Sequence, residues 1–589
     1  TPALCASMLK QIPKGHHEEK KGFFGWFNRK FGSLTHRYEG VVAKILRKLG
    51  RMTIIYLALG AIAAFVFTRL PTSFMPDEDQ GYVIMSVQLP GGATKERTDN
   101  TLAAATDLVR GMPEVENVIG VSGFSFSGSG QNMALGFIML KDWAERPDAG
   151  SDAMSLAGKM TGALMGTIKD GYAIVINPPA ISELGNNSGF TMYLQDRNSS
   201  GHEALLAKRN ELLGKMRQSP ILKDVRPSGL EDAPQLKIDI NRQAAAAQGI
   251  SFSSIQATLA SALGSTYVND FPNQGRLQRV IVQAEAASRM QPADILALTV
   301  PNSSGVVVPL STIATVAWEN GMEQSQRFNG YPAMQLTGAP AEGYSTGDAM
   351  NEVQRLVDDL GGAYSLEWTG QSREEIKSGS QTMMLYTFAA IAVFLALAAL
   401  YESWSIPMAV ILVVPLGVLG VVSGVWLRGY DNGIYFQIGL ITVMGLSAKN
   451  AILIIEFAKD LQAQGRTALE AALEAAHLRF RPIIMTSLAF ILGVVPLYIA
   501  SGASSASQRA IGTSVFWGMS VGTFLAVFLV PLFYVVVRKF FKGGNRQQEQ
   551  LAAESAHAGI SVDEVEQHTA EASLNDEEKR DLHDDKDQK

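Results

Sequence analysis

The stretch GLSAKNAILIIEFAKD at 445–460 sets Lys449 and Asn450 inside an apolar run from Ile434 to Phe457. That run is long enough to cross a bilayer as a helix. An ammonium group in hydrocarbon costs roughly 2.5–3.5 kcal/mol even on insertion scales. Such a lysine therefore either faces a polar interior and a partner, in the service of ion or substrate movement, or only snorkels and ties two helices together. Any fold for this chain has to accommodate that charge.

The wider composition agrees with a membrane setting. Of 589 residues, 47% are hydrophobic and only 18% charged, and the apolar residues gather into long blocks. This is the pattern of an integral membrane protein. A net charge of -6 leaves no electrostatic footprint for nucleic acid. A single cysteine, Cys5, excludes an internal disulfide framework and a multi-thiolate metal site. There is no G-x-x-x-x-G-K-[ST] phosphate loop, no H-E-x-x-H and no paired-cysteine motif, and His16 and His17 sit in a basic linker as surface residues. Neither a cofactor nor a metal is called for. Without a fuel-splitting site, a coupled machine has to draw on an ion gradient, and Lys449 is the candidate for that coupling.

In chain order, residues 1–14 read as the end of a membrane span already under way, so a truncated N-terminus is expected. Residues 15–50 are basic and aromatic, with Phe23, Phe27, Phe31 and Leu34 at near-helical spacing opposite Lys21, Arg29, Lys30 and Arg37. They suit either an interfacial cytoplasmic helix or a solvated basic linker. A first complete span follows at 53–70, its cytoplasmic end marked by Lys44, Arg47, Lys48 and Arg51. From 71 to about 379 short β-like runs alternate with amphipathic helices, which predicts split βαβ subdomains at 71–182 and at 183–230 with 322–379. Residues 231–321 read as an insertion, with two short helices, a Gly/Asn/Pro-rich excursion at 268–275 and a hairpin at NSSGVVVPL. Five more spans fall within 380–537, near 383–400, 408–427, 434–457, 484–500 and 511–537. Lys459, Arg466, Arg479 and Arg481 then lie in an inner loop at 458–481. The tail at 538–589 is cytoplasmic, acidic, poor in aromatics and expected to be disordered. The predicted fold class is a polytopic α-helical membrane protein with a large α+β periplasmic insertion.

Two constellations stand out. The spans hold no aspartate, and Glu456 lies seven positions beyond Lys449, about 10 Å along a helix. The partner of Lys449 is therefore expected on helices outside this sequence, where protonating a carboxylate would release the lysine and rearrange the helices. Arg479 and Thr486 either extend that relay or are an ordinary inner-loop arginine and a packing threonine. In the outer region, Ile119 and Val121 share a strand face ahead of the loop GFSFSGSG. Phe124 and Phe126 in that loop form either a mobile wall against an apolar ligand or part of a domain core. Phe190, Met192 and Leu194 share another strand face, with core packing the default.

The runs TPALCASMLK, PTSFMPDEDQGY, LKDWAERP, GLEDAPQLKIDI, ALYESWSIP, VVPLGVLG, GLSAKNAILIIEFAKDL and RPIIMTSLAFILGVVPL resemble AcrB-type hydrophobe/amphiphile efflux pumps of the resistance-nodulation-division superfamily. The resemblance covers residues 1 to about 544 and implies the C-terminal half of a pump whose full chain has two homologous halves. It implies proton-driven export of apolar and amphiphilic drugs by a homotrimer in the bacterial inner membrane, with the N-terminal half, a periplasmic adaptor and an outer-membrane channel as partners. It also implies ferredoxin-like porter subdomains and a docking or funnel subdomain at 231–321. Lys449, Arg479 and Thr486 match proton-relay positions. Gly123–Gly130 matches a switch loop; Ile119, Val121, Phe124, Phe126 and Phe137 match distal-pocket or loop positions; and Phe190, Met192, Leu194, Arg226 and Ser228 match a proximal pocket and entrance. Ile119 and Met192 stand where aromatics are common and Ser129 where a basic residue can stand, so the drug spectrum does not carry over. A metal or lipid exporter of the same superfamily, and a non-transporting membrane scaffold, are the alternatives; Met133, Met139 and Met192 make no convincing metal path.

Overall fold

A computed structural model describes residues 22–148, 150–185, 188–503 and 505–541. The expected membrane-span end at 1–14, the His16–His17 pair and the acidic tail from 542 lie outside the described residues. The chain divides into two compact units, one of Thr1–Glu78, Tyr344–Asp348 and Arg373–Lys589, the other of Asp79–Gly343 and Ala349–Ser372.

The first unit is helical. Among the described residues six helices are long and apolar enough to cross a membrane: Leu49–Phe67, Gly370–Tyr401, Ser405–Leu427, Ile434–Ala463, Ala468–Tyr498 and Ser505–Phe540. Three of them approach closely because glycines stand at their crossings. A Cβ on Gly522 would lie 3.2 Å from the Cα of Gly417, and one on Gly420 would lie 2.6 Å from the carbonyl oxygen of Trp517. The small-xxx-small runs GVVSG (420–424) and GMSVG (518–522) mark these contacts in the sequence. Ahead of the first span, the helix Phe23–Arg47 divides its apolar residues in two. Tyr38, Val42 and Leu46 are buried, with Tyr38 stacked on Phe480 at 4.3 Å and its hydroxyl donating to the Val527 carbonyl at 2.9 Å. Phe27, Leu34 and Val41 remain exposed.

The helices run past the expected spans. Residues 458–481, read from sequence as an inner loop, are helical except for 464–467, where Thr467 and Glu470 form a reciprocal capping box. The Ala-, Glu- and Leu-rich segment from Ala468 has high helix propensity and carries its charges on a helical extension of the next span.

The second unit holds two antiparallel sheets and an excursion. In the first sheet, β1 (Tyr82–Gln88), α1 (Lys95–Arg110), β2 (Val115–Ser125), β3 (Gly128–Leu140), α2 (Ala153–Thr167) and β4 (Tyr172–Ile176) give the strand order β2-β3-β1-β4. Val83, Met85 and Val87 of β1, Ala134 and Ile138 of β3 and Val175 of β4 form one core with Leu102, Ala105 and Val109 of α1 and Leu156, Met160 and Leu164 of α2. The second sheet contains β5 (Phe190–Asp196) and, after α3 (His202–Gln218), β6 (Leu222–Pro227). The excursion then opens with β7 (Ala233–Ile240), α4 (Arg242–Ala247) and α5 (Phe252–Leu259). It continues through β8 (Thr266–Asn273), β9 (Arg276–Val282), α6 (Pro292–Ala297), β10 (Thr299–Pro301) and β11 (Val307–Pro309). It closes on β12 (Ala314–Gly321), which pairs with β7 from Ala233 opposite Gly321 onward. The second sheet is completed by β13 (Arg327–Phe328), β14 (Tyr331–Pro340), α7 (Thr346–Asp358) and β15 (Tyr364–Trp368). The β8–β9 hairpin stands where the sequence suggested only a Gly/Asn/Pro-rich excursion. Every residue of both strands is exposed, so no apolar alternation announces it.

Asp79 fastens the first sheet. It accepts hydrogen bonds from Arg146 Nη1 (3.1 Å) and Nη2 (3.3 Å) and from the backbone N–H groups of Gly81 and Ala153 (both 2.9 Å). Burial pushes its carboxyl up, but the Arg146 guanidinium and the two N–H donors together hold it below the usual aspartate value. A carboxyl with a depressed folded-state pKa contributes stability above its unfolded value near 3.9, and that contribution is lost as pH falls through the folded value. Asp79→Asn is expected to destabilise this unit by about 3 kcal/mol, because Arg146 stays buried without its counter-charge. Urea unfolding followed by proteolysis reads this, and the gap between variant and parent should narrow below about pH 4.

Candidate functional site

Lys449 and Asn450 are neighbours on the Ile434–Ala463 helix and point about 100° apart. Asn450 turns inward. Its amide donates to Ser487 Oγ at 3.0 Å and to Thr523 Oγ1 at 3.3 Å, while the Thr523 hydroxyl donates to Ser487 Oγ at 3.1 Å. All three are buried, and together they join the 434–463, 468–498 and 505–540 helices through a closed polar triad. Sequence reasoning passed over Asn450, although an amide beside a mid-span lysine was the available signal.

Lys449 turns outward. It is exposed, its ammonium lies 5.1 Å from the centre of the Phe490 ring, and it makes no ion pair within the described residues. Eight residues on, Phe457 carries the guanidinium of Arg479 with its carbon 3.5 Å from the ring centre. The 434–463 and 468–498 helices are thus antiparallel along one seam, with Lys449 near Phe490 at one end and Phe457 near Arg479 about 12 Å away. Thr486, one turn from Phe490, lies between them and donates to the Ile483 carbonyl of its own helix at 3.1 Å. The three expected relay residues share this seam, but none hydrogen-bonds another. Arg479 Nε is buried without a hydrogen-bond partner among the described residues.

In the second unit, the first sheet is apolar on both faces. Opposite the helix-covered core, the register sets Ile176, Ile84, Phe137 and Ile119 side by side across all four strands. The next row is Ile174, Ser86, Leu135 and Val121. Ile119 is 54% and Val121 40% exposed, Phe137 is half-buried, and Ile84, Leu135 and Ile174 are buried. Sequence reasoning found Ile119, Val121 and Phe137 but missed Ile84, Ile174 and Ile176. The signal was YVIMSVQL, a strand with apolar residues at both parities.

GFSFSGSG is shorter than a free loop. β2 continues to Ser125 and β3 begins at Gly128, which leaves Phe126 and Ser127 as the turn, pinned where Ser125 Oγ accepts from the Ser127 N–H at 3.1 Å. Gly123 has φ 90° and sits at a register shift between Ser122 and Phe124, a left-handed position that a side chain would strain. Phe124 and Phe126, 47% and 40% exposed, therefore stand at the tip of a hairpin that continues the apolar sheet.

Arg226 on β6 lies near Tyr172, the first residue of β4: burial raises the Tyr172 hydroxyl, and the charge of Arg226 opposes that rise. On β6, Arg226 pairs with Thr337 of β14 in the second sheet. Ser228 follows β6, half-buried, its N–H donating to the Gln335 carbonyl at 2.9 Å. Phe190, Met192 and Leu194 stand in the core, the default reading of their shared strand face. All three are fully buried in the core that β5 and β14 form with α3 and α7. The alternation of β5 turns them toward the helices and leaves Tyr193, stacked on Phe328, on the opposite face.

Residues 1–538 match the model of the AcrB/AcrD/AcrF family. The chain belongs to this family. It is 48% identical over 553 residues to the multidrug/solvent efflux pump membrane transporter MepB of Pseudomonas putida, covering 93% of this chain and 52% of that protein. It is 48% identical over 549 residues to the multidrug export protein AcrF of Escherichia coli K12, covering 92% and 53%. To the multidrug resistance protein MdtF of Escherichia coli O157:H7 it is 47% identical over 545 residues, covering 92% and 52%. The chain spans about half the length of these curated relatives.

The opposite orientations of Lys449 and Asn450 predict opposite sensitivities. Asn450→Ala should cost about 1 kcal/mol of membrane-unit stability, the scale of interhelical hydrogen bonds in membranes. Lys449→Ala should stay within about 0.5 kcal/mol of the parent. Thermal unfolding of the detergent-solubilised protein compares the two directly.

Proposed function

We propose that this chain is the C-terminal half of a proton-motive-force-driven multidrug efflux pump of the bacterial inner membrane, a secondary transporter and not an enzyme. Lys449 carries the reading. It is a mid-span ammonium with aromatic company and no carboxylate among the described residues, on the same seam as Thr486 and Arg479. A lysine so placed is poised to meet a carboxylate from another set of helices. With relatives about twice as long, the N-terminal half is the assigned source of that carboxylate. Protonation of the carboxylate releases Lys449, and the buried Asn450–Ser487–Thr523 triad gives the released helix fixed neighbours to move against.

The α+β unit is assigned as the periplasmic drug-handling part. The first sheet, with its βαββαβ order, is assigned as one ferredoxin-like porter subdomain; the second sheet as another; and the excursion as the docking or funnel subdomain. Ile119, Val121 and Phe137 with the hairpin tip Phe124 and Phe126 supply an apolar wall, and Arg226 and Ser228 an entrance, for apolar and amphiphilic drugs. Phe190, Met192 and Leu194 are excluded from that wall by their burial. The working assembly is a homotrimer acting with a periplasmic adaptor and an outer-membrane channel.

In the complete pump, Lys449→Ala should abolish energised dye efflux while leaving abundance and assembly unchanged; efflux within twofold of the parent would sink the relay assignment. Phe126→Ala should alter the rank order of exported drugs, read as inhibitory concentrations across bulky and small compounds. A uniform loss accompanied by poor expression would return Phe126 to a packing role.

A further inference from the structure

The excursion joins the second sheet through two chain crossings, residues 228–232 leading into β7 and residues 322–326 leading out of β12. Both crossings are fastened. Gln324 Oε1 accepts from the Leu230 N–H at 3.2 Å, which ties one crossing to the other. One face of α3 holds the incoming crossing. His202, its first residue, places Nε2 2.9 and 2.8 Å from the two carboxylate oxygens of Asp232, and Arg209, two turns on, donates to Glu231 Oε2 at 2.8 Å. A cavity of about 300 Å³ opens beside these contacts, lined by His202, Leu205, Arg209, Asp232, Gln324 and Arg327 among others. The neck therefore has space into which it can shift.

The two pairs differ in kind. Arg209 is a permanent cation and its charge is matched by Glu231. Asp232 has His202 as its only ion-pair partner within the described residues, so its charge is matched only while the imidazole is protonated. The other charged group lining this cavity is Arg327, and Glu203 follows His202 on α3, exposed and outside the lining.

We propose that His202 and Asp232 form a proton-sensitive latch that fixes the neck of the excursion to α3. Protonated His202 closes the latch through a charge-assisted hydrogen bond to both oxygens of Asp232. Neutral His202 retains one ordinary hydrogen bond, and the crossing at 228–232 then opens more often into the cavity. Histidine as a residue type titrates between pH 5 and 8, the range a surface outside the inner membrane meets. The sign follows: the latch is tight below that range and loosens as pH rises through it. The periplasmic exposure of this switch rests on the transport reading above; the latch itself does not.

Hydrogen exchange of the purified chain, followed by mass spectrometry at pH 5.5 and 8.0 and corrected for chemical exchange, tests this. Peptides covering 228–233 and 321–327 should be about fivefold more protected at pH 5.5 than at pH 8.0. His202→Gln keeps an N–H donor but cannot titrate, and Asp232→Asn removes the charge to be matched. Both should bring the pH ratio to about one, with the α3 peptides from 205–218 unchanged as the folding control. A wild-type ratio near one, or a fivefold ratio that persists in either folded variant, overturns the latch. The readout needs no transport, so a failed Lys449→Ala efflux test leaves this result standing, and the reverse also holds.

Discussion

The membrane unit depends on the absence of side chains where its helices cross. Gly417 and Gly522 face each other closely enough that a Cβ on the second would press on the backbone of the first, and a Cβ on Gly518 would lie 2.6 Å from both Val421 and Val443. Lipid offers no hydrophobic drive between helices, so close backbone approach and interhelical hydrogen bonds have to hold them. The glycines provide the first, and Asn450, Ser487 and Thr523 the second at the same depth. A lysine tolerated on the far side of such a core belongs to a helix whose inner face is already fixed.

That separation explains how adjacent residues take opposite roles. Asn450 is held by two side-chain hydroxyls within its triad, whereas Lys449 has an aromatic ring and room. Arg479, one end of the same seam, is also held by a ring rather than a carboxylate. A cation over an aromatic face is stabilised by about 0.5–2 kcal/mol, far less than a buried ion pair would bind it. Both cations rest against aromatic rings, and neither makes an ion pair within the described residues.

Much of this was legible in the chain because membrane spans are written in long apolar blocks in which Lys449 stands out, whereas the seam it shares with Arg479 and Thr486 depends on how two helices pack. What escaped has physical causes. Helices continue beyond the hydrocarbon wherever propensity allows, so hydropathy alone ended the 434–463 helix early and turned the start of the 468–498 helix into a loop. The β8–β9 hairpin buries nothing within this chain, so it carries no alternation to detect. Phe190, Met192 and Leu194 were placed on one strand face correctly, but the face pointing to the helices and the face pointing away have the same period, and only the packing of α3 and α7 distinguishes them.

The same ambiguity of faces makes the first sheet informative. An antiparallel sheet with one side solvated should alternate apolar and polar residues. Here the row Ile176, Ile84, Phe137, Ile119 lies on the side that α1 and α2 leave uncovered, and it grades from buried Ile84 to 54% exposed Ile119 toward the β2 edge. The hairpin extends that edge with Phe124 and Phe126, and Gly123 bends it at a position where only glycine is unstrained. Gln324, which ties the two crossings of the neck, also directs its amide to the Ser127 carbonyl in this hairpin turn at 3.5 Å. At that length the contact positions more than it binds. It nevertheless sets Gln324 of the outgoing crossing beside the aromatic tip, and Glu323 and Ala233 lie as close to Gly91 just after β1.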